Sequence, residues 1–159
     1  MAKAVKTNVL RYLDAHKIPY ETREYAVDDD NFDGKLVAGK TGLDPAMIYK
    51  TLVLTGEGSK PLVCVIPVEQ ELDLKAVARA AGHKSVAMLH QKDLLPLTGY
   101  QRGGCSPIGM KKLFPTYIDE SARSLERISV SAGVRGCQVI LAVDALMSSV
   151  NARFAALCR

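Results

Sequence analysis

The sequence contains no tryptophan, and aromatic residues make up 6% of its 159 residues. Its four cysteines, Cys64, Cys105, Cys137 and Cys158, are scattered without a C-x-x-C pair, which argues against a zinc site and against a disulfide framework. No apolar run is long enough to cross a bilayer, and no apolar segment follows the charged residues 1–6, as a secretory signal would require. These absences predict a cytoplasmic protein with reduced thiols and without a metal, a cofactor or a membrane partner.

The usual residue sets of hydrolytic enzymes are also missing from the pattern. No Ser-His-Asp combination, metal-ligand spacing or carboxylate pair stands out. His83 and His90 lie near the same predicted strand, but nothing ties them to a serine or a cysteine, so surface positions account for them.

Charge is distributed unevenly along the chain. The formal net charge is +4, but residues 1–74 carry 9 Lys and Arg against 12 Asp and Glu, whereas residues 75–159 carry 12 against 5. The positive field therefore belongs to the C-terminal half. A nucleic-acid partner fits this distribution because phosphate contacts supply affinity and steer association, and an ordinary solvated surface also fits it.

A glycine-rich loop at 98–112 is the most distinctive stretch of that half. Four glycines and Pro107 exclude a regular helix or an interior strand, because glycine permits positive φ and proline lacks a donor. Gly103 and Gly104 let backbone N–H groups approach a ligand closely, and basic side chains lie at the loop's edges. The loop favours an anionic or ester-bearing ligand, although a long connecting turn has the same composition.

The length fits one domain spanning residues 1–159. Periodicity, caps and turn residues predict helices at 3–16, 36–40, 74–81, 90–95 and 144–149. They predict strands at 20–26, 48–55, 61–68, 85–89, 115–119, 128–131 and 137–142, with 153–157 a strand or a tail, and an acidic mobile loop at 28–31. Hairpins outnumber βαβ units, so the fold class is α+β, a mixed and partly barrel-like sheet flanked by helices.

Lys50 lies inside the apolar run 48–55. Strand alternation places it on the same face as Leu52 and Leu54, so it either points to solvent or occupies a polar cleft. The pattern alone favours solvent.

Two motifs at a characteristic separation identify a family resemblance. Lys50-Thr51-Leu52 is followed by Gly-Tyr-x-x-Gly-Gly-x-Ser-Pro-x-Gly over residues 99–109. Together they resemble the YbaK family, the free-standing aminoacyl-tRNA deacylases related to the editing domain of bacterial prolyl-tRNA synthetases. Further landmarks are Lys17-Ile18-Pro19 with Tyr25 downstream, the segments 42–45 and 72–75, and the turn 130–136, where Ala132 and Val134 replace the family's frequent Gly and Lys.

The resemblance implies a trans-editing enzyme that removes cysteine from mischarged Cys-tRNA(Pro), and it leaves Cys-tRNA(Cys) open as a second substrate. The substrate's own thiol would attack its ester and release a thiolactone, so the protein needs no nucleophile. The implied catalytic residues are Lys50, Gly103 and Tyr25. The implied substrate contacts are Thr51, Tyr100, Gly104, Ser106 and Ser131, and the implied tRNA contacts are Arg102, Lys111, Lys112 and Arg135.

Two alternatives stay open at the level of sequence. One is a deacylase for alanine, serine or threonine with water as the nucleophile, and the other is a non-catalytic module that binds tRNA or a synthetase. The expected partners are an aminoacyl-tRNA and prolyl-tRNA synthetase.

Overall fold

The computed structural model of the chain describes residues 6–26 and 34–159. In chain order, its helices and strands are α1 (Asn8–Ala15), β1 (Tyr20–Glu24), α2 (Gly34–Thr41), β2 (Tyr49–Thr55), β3 (Pro61–Pro67), α3 (Leu74–Ala81), β4 (Ala87–Met88), α4 (Gln91–Thr98), β5 (Thr116–Asp119), β6 (Arg127–Ser131), β7 (Cys137–Ala142), α5 (Val143–Val150) and β8 (Arg153–Ala155). Strands and helices alternate irregularly, which confirms the predicted α+β class. The acidic loop predicted at 28–31 lies outside the described residues.

The strands form two sheets that meet along β2. One sheet has the order β1-β7-β6 with antiparallel pairs, and the other has the order β4-β2-β3-β5-β8. β3, β5 and β8 run parallel, whereas β2 and β3 form the predicted antiparallel hairpin. A parallel bridge between Ile48 and Ser129 joins β6 to the beginning of β2. The two sheets therefore continue into each other as one curved, mixed surface.

The main core fills the concave side of this surface. Val53 and Val65 of the five-stranded sheet belong to the same buried cluster as Val130 and Val139 of the three-stranded sheet. α1 covers one end of this core. Its buried residues Val9, Leu10 and Leu13 lie on one face of the helix and pack into the core. Thr7 caps α1 by accepting a hydrogen bond from Leu10 N, and its hydroxyl donates to Ala132 O at 2.6 Å. This cap fastens α1 to the turn between β6 and β7.

A second core lies on the opposite face of the five-stranded sheet. α3 packs there, with Val77 fully buried against a cluster that includes Leu54 and Ile66. Asp73 caps α3 by accepting hydrogen bonds from Lys75 N and Ala76 N, and Gly82 ends it in the left-handed conformation, so the helix has the predicted limits 74–81. Burying a side chain of this size contributes about 1.5–3 kcal/mol.

The C-terminal tail is fixed to this second core by Asp119. Leu157 N donates to Asp119 Oδ1 at 3.1 Å, and Ser121 N donates to the other carboxylate oxygen. Burial alone raises the pKa of Asp119, but the hydrogen bonds from Ser121, Leu157 and Cys158 outweigh it, so the pKa lies below its usual value. The tail is thus held beneath the end of β5.

Several predicted boundaries are wrong. The sequence predicts a helix over 3–16, but residues 6 and 7 are not helical and α1 begins at Asn8 after the Thr7 cap. α4 continues through Pro96 to Thr98, because Thr98 Oγ1 donates to Leu94 O and Gly99 N donates to Leu95 O, which supports the last turn without the proline N–H. Asp144 lies in the first turn of α5 rather than at its cap, which Ala142 occupies. The strand predicted at 85–89 has only the two residues of β4, Ala87 and Met88. No helix in the described part of the chain is long and apolar enough to cross a membrane.

Candidate functional site

The convex face of the curved surface carries a row of polar side chains. Ser131 of β6 pairs with Gln138 of β7, and Tyr25 N donates to Gly136 O, which continues the pairing of β1 with β7. Paired residues on neighbouring strands point to the same side, and alternate residues of one strand share a face. Tyr25, Gln138 and Ser131 therefore lie on one face.

Lys50 extends this row onto β2. The bridge between Ile48 and Ser129 is parallel, so two residues further along each strand Lys50 comes alongside Ser131. On its other side, Lys50 pairs with the fully buried Ile66. The row thus brings together Tyr25, Ser131 and Lys50, three residues that the sequence proposed from separate motifs.

The environment of Lys50 is unusual for a lysine in a strand. Its side chain is half-buried, and no residue in the described part of the chain forms a hydrogen bond or an ion pair with it. A buried ammonium is costly unless a polar group or a ligand compensates it. Lys50 is therefore neither fully exposed nor fully buried: it lies half-buried beside a polar row.

Thr51 lies on the opposite face from Lys50. Its hydroxyl oxygen is buried toward the main core and has no hydrogen-bond partner among the described residues. From this position the Thr51 hydroxyl does not face a ligand bound on the convex face.

The glycine loop folds onto the turn between β6 and β7. Gly104 N donates to Gln101 O, and Arg135 Nε donates to Arg102 O at 2.7 Å. A Cβ on Gly104 would lie 3.0 Å from the backbone nitrogen of Arg135, so only glycine allows this contact without a shift. Gly103 is exposed with φ 85°, a left-handed conformation that favours glycine.

A cleft of about 280 Å³ opens where the loop meets this turn. Its lining combines backbone of the loop and the turn with two partly exposed aliphatic side chains, and the residues are Leu95, Gly99, Tyr100, Gln101, Gly104, Gly133, Val134 and Arg135. Lys50 and Tyr25 are not among them. The polar row and this cleft are therefore two separate surfaces beside the turn between β6 and β7.

Tyr100 and Ser106, two predicted substrate contacts, form hydrogen bonds within the loop itself. Tyr100 is 5% exposed and its hydroxyl donates to Ile108 O, so only its ring faces the cleft. Ser106 is fully buried, and its hydroxyl accepts a hydrogen bond from Ile108 N at 3.4 Å. Substrate contact by Ser106 is not compatible with this burial, since the side chain has no exposed surface.

The predicted basic residues lie around the cleft. Arg102, Lys111 and Lys112 are exposed, and Arg135 is half-buried. Lys111 Nζ donates to Pro96 O at 3.2 Å, so its charge is held over the end of α4. Arg135 lines the cleft and contacts Arg102, and Lys111 lies against the end of α4 next to it, so at least three of these positive charges lie close to the cleft.

No protein nucleophile is evident at the loop. Cys105 is buried, and burial raises the pKa of its thiol to about 12, so the thiolate that would react is scarce at neutral pH. In the part of the chain that the structure describes, no group of three or more His, Cys, Asp or Glu side chains is placed to hold a metal ion.

Sequence reasoning missed two polar residues of the convex face. Gln138 and Ser129 are both buried, and Ser129 Oγ donates to Gln138 Oε1 at 2.9 Å. The available signal was a glutamine inside the apolar run 137–142.

Known proteins with similar sequences and folds indicate the family of this chain. A family model for the aminoacyl-tRNA editing domain matches residues 35–148. A protein of Enterococcus faecalis (strain ATCC 700802 / V583), named Cys-tRNA(Pro)/Cys-tRNA(Cys) deacylase EbsC, is 51% identical over 150 residues, which cover 94% of this chain and 92% of the relative.

Two solved structures share the fold. One is described as a trans-editing enzyme for prolyl-tRNA synthetase, with 22% identity and a TM-score of 0.82 over 96% of this chain and 95% of that chain. The other, the hypothetical protein APE2540, has 18% identity and a TM-score of 0.86 over 96% of this chain and 100% of that chain. The matched family model and the relative of similar length show that this chain belongs to the aminoacyl-tRNA editing domain family.

Proposed function

We propose that this chain is a trans-editing deacylase that removes cysteine from mischarged Cys-tRNA(Pro), with Cys-tRNA(Cys) as a second substrate. The observation that carries the proposal is Lys50, a half-buried lysine without an ion-pair partner in the described part of the chain. The name of the relative with 51% identity supports the choice of cysteine. The protein would act in the cytoplasm, with residues 1–159 as one editing domain.

Among the described residues of the glycine loop, the one thiol, that of Cys105, is buried and its pKa is raised to about 12, which fits a substrate that supplies its own nucleophile. In a cysteinyl ester, the thiol sulfur forms a bond to the carbonyl carbon and the ester C–O bond breaks. The thiol proton ends on the ribose hydroxyl, and the amino acid leaves as a cyclic thiolactone. The protein must then hold the reactive conformation and stabilise the oxyanion that develops on the carbonyl oxygen.

The proposed roles follow the two surfaces. Lys50 orients the substrate from the convex face, with Tyr25 and Ser131 as hydrogen-bonding neighbours. The Gly103 backbone, exposed at the loop, faces the ester carbonyl. Gly104 keeps the loop against the turn between β6 and β7, and the ring of Tyr100 lines the cleft.

The glycine at 103 provides a test of the loop's role. Because its φ is 85°, Gly103→Val introduces backbone strain of about 1–3 kcal/mol, and we expect both a lower melting temperature and loss of deacylation. The matched control is Gly58→Val, at φ 66° in a turn where an added Cβ meets nothing within 4 Å. It should cost similar stability and leave deacylation unchanged. Equal activity of the two folded variants would remove Gly103 from the site.

Binding of tRNA should be electrostatic. Each phosphate that a cation neutralises contributes roughly −0.7 to −0.9 to the slope of log K against log salt, so four contacts predict a slope of about −3. Lys112→Ala should make this slope shallower by about one, whereas Lys60→Ala, an exposed lysine in the turn between β2 and β3, should not change it. Fluorescence anisotropy with labelled tRNA measures both, and a salt-independent affinity would contradict a phosphate-binding patch.

The proposed function is tested by incubating the protein with a panel of aminoacyl-tRNAs that carry Cys, Pro, Ala, Ser or Thr. We expect loss of the cysteinyl group and little loss of the others, with thiolactone or its products released. Comparable release of Ala, Ser or Thr would indicate hydrolysis by water instead. Binding without any release would indicate a recognition module, and addition of prolyl-tRNA synthetase would show whether that partner supplies tRNA selectivity.

A further inference from the structure

Gln138 is an amide buried inside an apolar strand. It lies in the middle of the run Cys-Gln-Val-Ile-Leu of β7 and is 6% exposed. An amide in such a position is stabilising only if both of its ends find partners, because each unpaired polar group loses the hydrogen bonds it made with water. The hydrogen-bond partners of the Gln138 amide therefore indicate its role.

Only the carbonyl end of this amide is occupied. Ser129 is fully buried and its Oγ donates to Gln138 Oε1 at 2.9 Å, which fixes the orientation of the side chain. Among the residues that the structure describes, none accepts a hydrogen bond from Gln138 Nε2. Gln138 is buried but keeps 6% of its surface exposed. Its amide nitrogen therefore carries two N–H donors that no described residue uses.

The surroundings of Nε2 are rich in donors. Within its row, Gln138 pairs with Ser131 on one side and with Arg23 on the other, and the same row reaches Lys50. Arg23 is already engaged with Glu21 at 3.4 Å, at the rim of the face. Ser131 Oγ accepts from Gly133 N. The site therefore offers N–H groups to a ligand that brings acceptor oxygens, and a cationic group of the ligand is disfavoured there by the Lys50 charge.

We propose that Gln138 contacts the substrate, donating from Nε2 to an oxygen of the aminoacyl-ribose ester, and that Ser129 is the positioning residue that fixes this amide. The proposal rests on the proposed deacylase function. An aminoacyl ester has acceptor oxygens at its carbonyl and ribose and an ammonium group at its α-carbon. A fixed N–H donor in the same row as Lys50, separated from it by Ser131, selects the orientation in which the oxygens face the row and the ammonium group points away.

The test is a double-mutant cycle on deacylation of Cys-tRNA. Gln138→Glu keeps the shape and the acceptor for Ser129, but an ionised carboxylate has no N–H to donate. We expect a loss in kcat/KM of at least about 30-fold with the melting temperature retained. Ser129→Ala should lower kcat by roughly 3- to 10-fold with KM within two-fold, because the amide remains but is no longer fixed. The double variant should be no less active than Gln138→Glu, since Ser129 acts through Gln138.

Gln70→Glu is the matched control, because Gln70 is exposed and the substitution changes the charge identically. It should leave kcat/KM within two-fold of wild type. The inference is overturned if Gln138→Glu is as active as Gln70→Glu, or if the effect of Ser129→Ala adds in full to that of Gln138→Glu. An inactive wild type would instead refute the proposed function itself, and the inference with it.

Discussion

Lys50→Ala should reduce deacylation of Cys-tRNA at least ~100-fold and leave the protein folded. The large effect is expected because Lys50 is a half-buried cation that no residue in the described part of the chain pairs with, beside Ser131 and Gln138. The Lys50 charge offsets a small part of the rise that burial causes in the pKa of the Cys158 thiol, but Lys50 forms no hydrogen bond or ion pair with the described residues, so removing its charge should cost mainly transition-state stabilisation rather than folding energy. Single-turnover kinetics with labelled Cys-tRNA measure this loss directly.

The aliphatic part of Lys50 needs a separate control, because it packs beside Ile66 and on the face of Leu52. Lys50→Met keeps this packing without the charge, so it should be as inactive as Lys50→Ala and at least as stable. Lys60→Ala removes a charge of the same kind from an exposed turn and should remain fully active. Substantial activity in Lys50→Met would show that the ammonium group is not needed and would remove Lys50 from the mechanism.

Local chemistry made much of the fold predictable. α3 has an aspartate cap, an apolar stripe and a terminal glycine within one short segment, so its limits follow from adjacent residues. The hairpin of β2 and β3 is similar, because its turn contains two glycines between two β-branched runs. The predicted α4 is too short, because the helix continues beyond Pro96 with the help of side-chain hydrogen bonds. Thr98 Oγ1 donates to Leu94 O and Lys111 Nζ donates to Pro96 O, and helical periodicity does not reveal either bond.

The site was only partly predictable, since its geometry depends on register between distant strands. The motifs marked Lys50, Ser131 and Tyr25 separately, but the bridge between Ile48 and Ser129 and the bond from Tyr25 N to Gly136 O place them in one row. Nothing in the periodicity of either strand specifies this pairing. Gln138 could be seen as an anomaly in an apolar run, yet its meaning depends on the bond from Ser129, which alternation alone does not reveal.

Replacing cysteine by serine on the tRNA should nearly stop the reaction, with at least ~100-fold slower release under the same conditions. The serine hydroxyl is smaller than the thiol, so it fits the same site, but it stays protonated, whereas a thiol with a pKa of about 8.5 supplies some thiolate at neutral pH. Ala-tRNA, which has no nucleophile in its side chain, should be equally slow. The comparison uses wild-type protein and measures loss of each aminoacyl group over time.

The competing possibility is that the protein supplies the sulfur, and Cys105 is the thiol nearest the glycines of the loop. It is 9% exposed and burial raises its pKa to about 12, so it is mostly protonated at neutral pH. Cys105→Ala should therefore keep deacylation of Cys-tRNA within a few-fold of wild type, with a modest loss of stability from packing. Cys137→Ala, at another buried cysteine that is 7% exposed, calibrates that packing loss. If Cys105→Ala alone is inactive and Ser-tRNA is cleaved as fast as Cys-tRNA, the nucleophile belongs to the protein and the substrate-assisted mechanism is wrong.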